Sequence, residues 1–297
     1  MLDQKIAVVT GAGGGIGRAI ALAMAKAGAR IVVNDLGAAT AGGGRSSAPA
    51  EETAHLIEAA GGIAVTSIDS VAEWDSASRI VETAISAFGG VDIVVNNAGV
   101  LRWAPFQETS PEDWDVTLAV HLSGSFYVSR AAAPHLISRG GGAYVHISST
   151  SGLMGHYNQA PYCAAKAGIL GLSKAIALDL KSQHIRSNCI APFAFSRMAA
   201  SANLTEERKA IMEKLKPEQI APLAVFLAAD AAAHVSGQAF TVRGNEIMLM
   251  HQGLPKRSVH RGEGWSAQTI ADHGMRALAP DFITLGGFNE ILTWEPI

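Results

Sequence analysis

Cysteine is nearly missing from this sequence: Cys163 and Cys189 are its only two, in neither C-x-x-C nor zinc-ligand spacing. That excludes a disulfide framework and leaves both as buried small apolar residues, as suits a reducing compartment. Long apolar runs are missing too, since none reaches the roughly 18 residues of a membrane span. The N-terminus MLDQKIAVVTG enters a strand pattern directly, without the charged, apolar and small-residue regions of a secretory signal. A cytoplasmic location is expected. Charge of one sign is also lacking: the net charge is −3 with both signs interspersed, which points to neither a nucleic-acid surface nor a polybasic membrane anchor. The ten histidines show no ligand spacing with cysteine or carboxylate, so no metal is expected.

What is present is an alternation of short β-branched runs with helical patterns, over a length that an open α/β sheet reaches as one unit. KIAVVT at residues 5 to 10 reads as a strand buried on both faces of a parallel sheet. It runs into GAGGGIG and then a helical pattern that stops at Gly28. Strand, glycine turn and helix is the context in which Gly11, Gly15 and Gly17, with Ile16 between them, bring bare backbone to a diphosphate at a helix N-terminus. The second strand, RIVVND, ends at Asp35. A carboxylate there either accepts both ribose hydroxyls of an adenosine and repels a 2′-phosphate, which selects NAD over NADP, or merely caps a turn.

Residues 37 to 50, rich in Gly, Ala and Ser, read as a mobile surface loop. A helix over about 50 to 60 and the strand IAVTS follow, placing Asp69 and Ser70 at the ligand-binding edge, within reach of an adenine. DIVVNNAGV is a fourth strand leading to Asn97, Ala98 and Gly99, small residues that let the chain pass close to a ligand. Ser110 and Pro111 cap a helix that extends past His121 to about residue 138. AYVHISS is the fifth strand, IRSNCIAP a sixth ending at Pro192, and QAFTV the last. A loop over the site is expected from residue 193 to about 204. The fold class is thus α/β, a Rossmann-type doubly wound parallel sheet of about seven strands over residues 1–245. A C-terminal extension, 246–297, carries Trp265, Trp294, Lys256, Arg257 and Arg261, and packs on the core or on a partner subunit. Its Ile283, Leu285, Phe288 and Ile291 argue against a disordered tail.

Between the fifth and sixth strands, Tyr162 and Lys166 are four apart, hence one turn from each other on one face if the segment is helical. A free phenol, with a pKa of about 10, is a poor proton carrier at neutral pH. A neighbouring ammonium and a cationic cofactor ring bring it into range. Ser149, delivered by the fifth strand, is the candidate for holding a substrate oxygen. By itself Y-x-x-x-K equally describes a helix with one amphipathic tyrosine. The helix continues through AGILGLSKAIALDL, apolar on more than one face, which predicts a subunit interface and a homodimer or homotetramer.

Together, TGAGGGIG, NNAG, Ser149, Tyr162 and Lys166 resemble the short-chain dehydrogenase/reductase family over roughly residues 3 to 245. The resemblance implies that Tyr162 is the general acid/base, that Lys166 binds the nicotinamide ribose and lowers the tyrosine pKa, and that Ser149 orients the substrate. VVNDLG, NNAGVLR, VHLSGSF, YCAAKAGILGL and NCIAP are more narrowly similar to the (3R)-hydroxyacyl-CoA dehydrogenase domains of type 2 peroxisomal multifunctional enzymes and their free-standing bacterial relatives. This implies a 3-hydroxyacyl-CoA substrate, fatty or with a steroid side chain. A free hydroxysteroid or other bulky apolar alcohol is the alternative substrate, and a nucleotide sensor without turnover the alternative of another class. Where the wider family has a catalytic asparagine, VHLSGSF places His121, which either anchors a relay water or only packs. Lys256, Arg257 and Arg261 either meet CoA phosphates or form a solvated basic face.

Overall fold

A computed structural model describes residues 1–194, 213–251, 253–283, 291 and 294. β1 (Ile6–Thr10), β2 (Arg30–Asn34), β3 (Ile63–Ser67), β4 (Ile93–Asn96), β5 (Gly142–Ile147), β6 (Ile185–Phe193), β7 (Ala239–Arg243) and β8 (Glu246–Leu249) form one sheet. Their spatial order is β3-β2-β1-β4-β5-β6-β7-β8. Neighbours are parallel except for β8, which returns antiparallel along β7. The order reverses between β1 and β4, and in such sheets ligands lie outside the carboxyl ends of the strands at that point.

The apolar runs go where sheet alternation sends them. In β1, Ala7 and Val9 join a core layer with Ile20 and Met24 of α1 (Gly15–Lys26) and Leu223 and Leu227 of α8 (Ala221–Ala228). Ile6 and Val8 face the other layer, with Ile80 of α3 (Trp74–Phe88) and Val128 and Leu136 of α5 (Gly124–Ser138). Each Val, Ile, Leu or Met side chain among these, taken fully from water, contributes roughly 1.5–3 kcal/mol. β1 is buried along its whole length, whereas β3, at the sheet's edge, leaves Ile63 54% exposed.

The sheet has eight strands rather than about seven. The extra one arises because Gly244, at φ 62°, turns the chain through Gly244 and Asn245 into a two-residue hairpin, with Arg243 opposite Glu246. Gly at the first position of such a loop suits it. The expected boundary at 245 therefore falls inside the β7–β8 turn. α2 begins earlier than expected, at Ala48–Ala59, and β6 runs through Phe193. Most of the loop expected from residue 193 to 204 lies outside the described residues. The segment expected to be a mobile loop after Asp35 is tethered: Thr40 O accepts from Leu101 N at 3.0 Å and Ala41 O from Arg102 Nε at 3.0 Å.

Ser110 caps α4 (Pro111–Leu118) by accepting from Asp113 N at 3.0 Å, with Pro111 in the first turn. The helix is continuous with α5 only through a π turn at Ala119–Ser123, the kind of bulge that re-aims side chains at functional sites. In the extension, Ile283 is 84% exposed, and Leu285 and Phe288 lie outside the described residues. The extension is tied to the sheet by β8 pairing with β7 and by Met250 packing on Ile169, Cys189 and Ala239; further along, Trp294 Nε1 donates to Glu246 at 2.8 Å, and its carbonyl accepts from Arg243, whose guanidinium lies 5.1 Å from the indole centre. Among the described residues no helix is long and apolar enough to cross a membrane.

Candidate active site

The glycine turn between β1 and α1 is shaped by close approach. Gly11 (φ 63°) and Gly15 (φ 52°) sit in the left-handed region, where a side chain is strained. A Cβ on Gly17 would lie 2.2 Å from Gly11 O. The N-cap of α1 is Gly14, which brings no side-chain cap, and the first turn holds no acid. The N-terminal amides and dipole of α1 are thus left to an external anion; Ile16, half-buried, stands beside them. A diphosphate fits this cradle.

Two polar clamps that the sequence reading missed hold the turn. Thr10 Oγ1 accepts from both Asn97 N (3.0 Å) and Ala98 N (3.1 Å), while Asn97 Nδ2 donates to the carbonyls of Thr10 and Gly11, both at 3.0 Å. Asn97 therefore braces the turn from β4. On the other side, Arg18 donates to Gly13 O at 2.6 Å and pairs with Glu52 at 2.7 Å. Asp35, just past β2, accepts from Gly13 N (2.8 Å) and Gly37 N (2.7 Å). Asp69 is held by Arg79 at 2.8 Å, and Ser70 Oγ accepts from Ala72 N at 3.1 Å. Both side chains are engaged within the chain. Half-buried Pro192 lies in β6 opposite Val242.

Ser149 follows β5 and is the N-cap of α6 (Thr150–Met154), accepting from Ser151 N at 3.1 Å. Tyr162 and Lys166 lie in α7 (Ala160–Asp179), which starts with Pro161 in its first turn. The spacing brings them together: Lys166 Nζ is 5.5 Å from the centre of the Tyr162 ring and donates to Ile147 O at 2.6 Å. Gly152 is required for this approach, since a Cβ there would meet Lys166 C at 2.5 Å. Burial pushes the Tyr162 phenol up to about 12, with a hydrogen bond from Ser149 pulling the other way. The lowering expected from Lys166 is not seen: desolvation dominates, and Ser149 supplies the opposing pull. Burial also brings Lys166 down to about 7.

His121 sits on the π turn, 1% exposed, its ring edge-on to Tyr162 with centroids 5.1 Å apart. Its Nε2 lies 2.7 Å from Val100 O and 3.1 Å from Val100 N, and Nδ1 has no hydrogen-bond partner among the described residues. The shorter contact, to a carbonyl, assigns the proton to Nε2. Burial, reinforced by Lys166, lowers its pKa to about 3, so the imidazole is neutral. The missing side chain of Gly99, expected to make room for a ligand, makes room for this ring: a Cβ would fall 2.4 Å from His121 Cε1. Behind it lies a cluster the sequence did not signal. Asn96 Nδ2 bonds Ser129 Oγ (2.8 Å) and His146 Nδ1 (3.2 Å), and burial lowers His146 to about 3 as well.

Just before α7, His156 meets Trp103 edge-on at 5.7 Å, and Asn158 O accepts from Ala104 N at 3.1 Å. This joins the loops after β4 and α6, whose Phe106 and Tyr157 are 81% and 71% exposed. The basic residues of the extension are spent elsewhere: Lys256 and Arg257 pair with Asp281, and Arg261 with Glu263. Among the described residues no group of His, Cys, Asp and Glu is arranged to hold a metal.

Comparison with known proteins agrees with this geometry. The model of the short chain dehydrogenase family matches residues 5–209. The chain is 44% identical over 235 residues, 79% of its length, to mouse peroxisomal multifunctional enzyme type 2, of which this spans only 31%. It is 43% identical over 246 residues to a protein assigned to the short-chain type dehydrogenases/reductases in Mycobacterium tuberculosis, covering 83% of this chain and 84% of that one. A crystal structure of a short chain dehydrogenase from Mycobacterium avium superposes with a TM-score of 0.83 at 36% identity, over 96% of this chain and 98% of the other. The glycine cradle, the Ser149–Tyr162–Lys166 constellation and these similarities lead to one conclusion: the chain belongs to the short-chain dehydrogenase/reductase family and is an oxidoreductase.

Proposed function

We propose that the protein is an NAD-dependent dehydrogenase interconverting a secondary alcohol and a ketone, with 3-hydroxyacyl-CoA and 3-oxoacyl-CoA as the substrate pair. The observation that carries this is Tyr162 set between Ser149 and Lys166 on the same sheet edge as the uncapped N-terminus of α1. Bound nicotinamide supplies the hydride acceptor. The chain's own groups do the rest. Tyr162 Oη exchanges a proton with the carbinol oxygen as general acid/base, Ser149 orients that oxygen, and Lys166 meets the nicotinamide ribose and exchanges protons with the phenol. His121, neutral and fixed at Val100 O, positions Tyr162 from behind.

NAD rather than NADP is supported by the Asp35 carboxylate at the end of β2, which repels a 2′-phosphate, and by Arg18, whose guanidinium is already committed to Glu52. Asp69, Ser70 and Pro192 complete the cofactor edge in this reading. The sequence resemblance supports an acyl thioester, and the exposed rim of Trp103, Phe106 and Tyr157 suits a long apolar substituent. The same rim favours the second reading, a free hydroxysteroid or similar bulky alcohol. α7 leaves Ala164, Ala167 and Gly171 exposed along one stripe of its first three turns, which supports a homodimer or homotetramer. The two unpaired cysteines suit a reducing compartment, here the cytoplasm.

The test follows NADH formation from NAD with (3R)- and (3S)-hydroxyacyl-CoA thioesters, the matching free acids and several hydroxysteroids. Turnover confined to one thioester series is expected. Turnover of free alcohols would move the assignment to the second reading, and silence throughout would remove it.

A further inference from the structure

The opposite edge of the sheet carries a second concavity, of about 880 Å³, lined by the amino ends of the central strands at Ile93, Gly142 and Ile185. That volume lies in the range of ordinary small-molecule sites. Its lining holds five Lys or Arg side chains against two Asp, an excess of three positive charges in a chain whose net charge is −3. The two carboxylates are neutralised in place: Asp92 by Arg139 through contacts of 2.7 and 3.1 Å, and Asp230 by Lys5 at 3.1 Å. Arg186 donates to the carbonyls of Leu227 and Ala229 at the end of α8, which uses its N–H groups but leaves its charge. Lys174 and Lys181 also line the cavity and have no such partner among the described residues. His184 and His234 add imidazole nitrogens to the same wall.

We propose that this cavity is an anion site for a diphosphate group, separate from the glycine cradle at the other edge of the sheet. A concave surface of one sign with low-dielectric walls concentrates counter-ions. Two unpaired ammonium groups, with Arg186 sharing Asp230 with Lys5, match a polyvalent anion better than a single carboxylate, and primary amines bind phosphate oxygens as point charges. The diphosphate arrives either as inorganic pyrophosphate or as part of a nucleoside diphosphate. The site stands on its own lining and does not depend on the dehydrogenase reading.

Calorimetric titration of the full-length protein with inorganic pyrophosphate and, separately, with ADP tests this. The same titrations are run on Lys174→Gln/Lys181→Gln and Lys174→Arg/Lys181→Arg double variants whose thermal melting and gel-filtration volume match the wild type. Saturable pyrophosphate binding is expected, weakened about tenfold, or 1.4 kcal/mol, in the Gln variant and retained in the Arg variant. ADP weakened in parallel with pyrophosphate makes a nucleotide an acceptable source, while pyrophosphate alone responding restricts the site to the inorganic ion. Absence of pyrophosphate binding, or binding that the Gln variant leaves unchanged, would overturn the proposal.

Discussion

The two edges of one sheet handle polar groups in opposite ways. At the carboxyl edge, ionisable side chains are buried and held away from their ordinary protonation: Lys166 down to about 7, Tyr162 up to about 12, His121 and His146 down to about 3. At the amino edge, buried Asp92 is paired with Arg139, and the other charges keep some exposure and either pair or stand free. Burial tunes protons at the first edge, and open charge attracts ions at the second. One fold presents a proton-handling surface and an electrostatic one, separated by the length of a strand.

The contrast can be broken most sharply at Tyr162. Tyr162→Phe should lower kcat about 10²- to 10⁴-fold while leaving cofactor affinity and thermal stability close to wild type; turnover near wild type would show that the buried phenol does not carry the proton. Next comes the packing that fixes the edge. Gly99→Ala, which drives a Cβ to 2.4 Å from His121 Cε1, should cost about 1–3 kcal/mol in denaturant unfolding. Adding His121→Ala should recover part of that loss, and strict additivity would mean that the two sites do not touch.

Asp35→Ala should raise the NADP-to-NAD ratio of kcat/KM by about tenfold, or roughly 1.4 kcal/mol; an unchanged ratio would remove Asp35 from cofactor choice. The remaining effect is on pH. His121 and His146 titrate near 3 when folded and at an ordinary value near 6.5 when unfolded. Between these values the unfolded chain binds more protons, so the stability they contribute is lost as pH falls through that window and is level above it. Melting temperatures followed from pH 7 downward should decline, less steeply in His146→Asn. A decline of equal slope in that variant would show that His146 is already charged in the fold.

Much of the carboxyl edge could be read from residue types and spacing. β-branched runs, the glycine turn, Asp35 at a strand end and Tyr162 four residues before Lys166 are local signals, because each depends on neighbours within a turn or a strand. What escaped is non-local. Thr10 and Asn97 are 87 residues apart in sequence and meet only when β1 and β4 pair. Gly152 and Gly99 look like ordinary loop glycines until α7 and the π turn press against them. The His146–Asn96–Ser129 cluster and the amino-edge cavity assemble side chains from several elements, and no periodicity announces them. The eighth strand was signalled, since Gly244 and Asn245 between short alternating runs form a hairpin pattern. It falls where the regular alternation of strand and helix ends, so strand–helix periodicity does not announce it.

The most direct measurement is a crystal structure of the protein grown with NADH. The diphosphate should lie on the amides at the N-terminus of α1, with the adenosine ribose on Asp35 and the nicotinamide ring beside Tyr162 and Lys166. A nicotinamide bound away from Tyr162, or a dinucleotide seated in the amino-edge cavity with the glycine cradle bypassed, would contradict the assignment of the two edges.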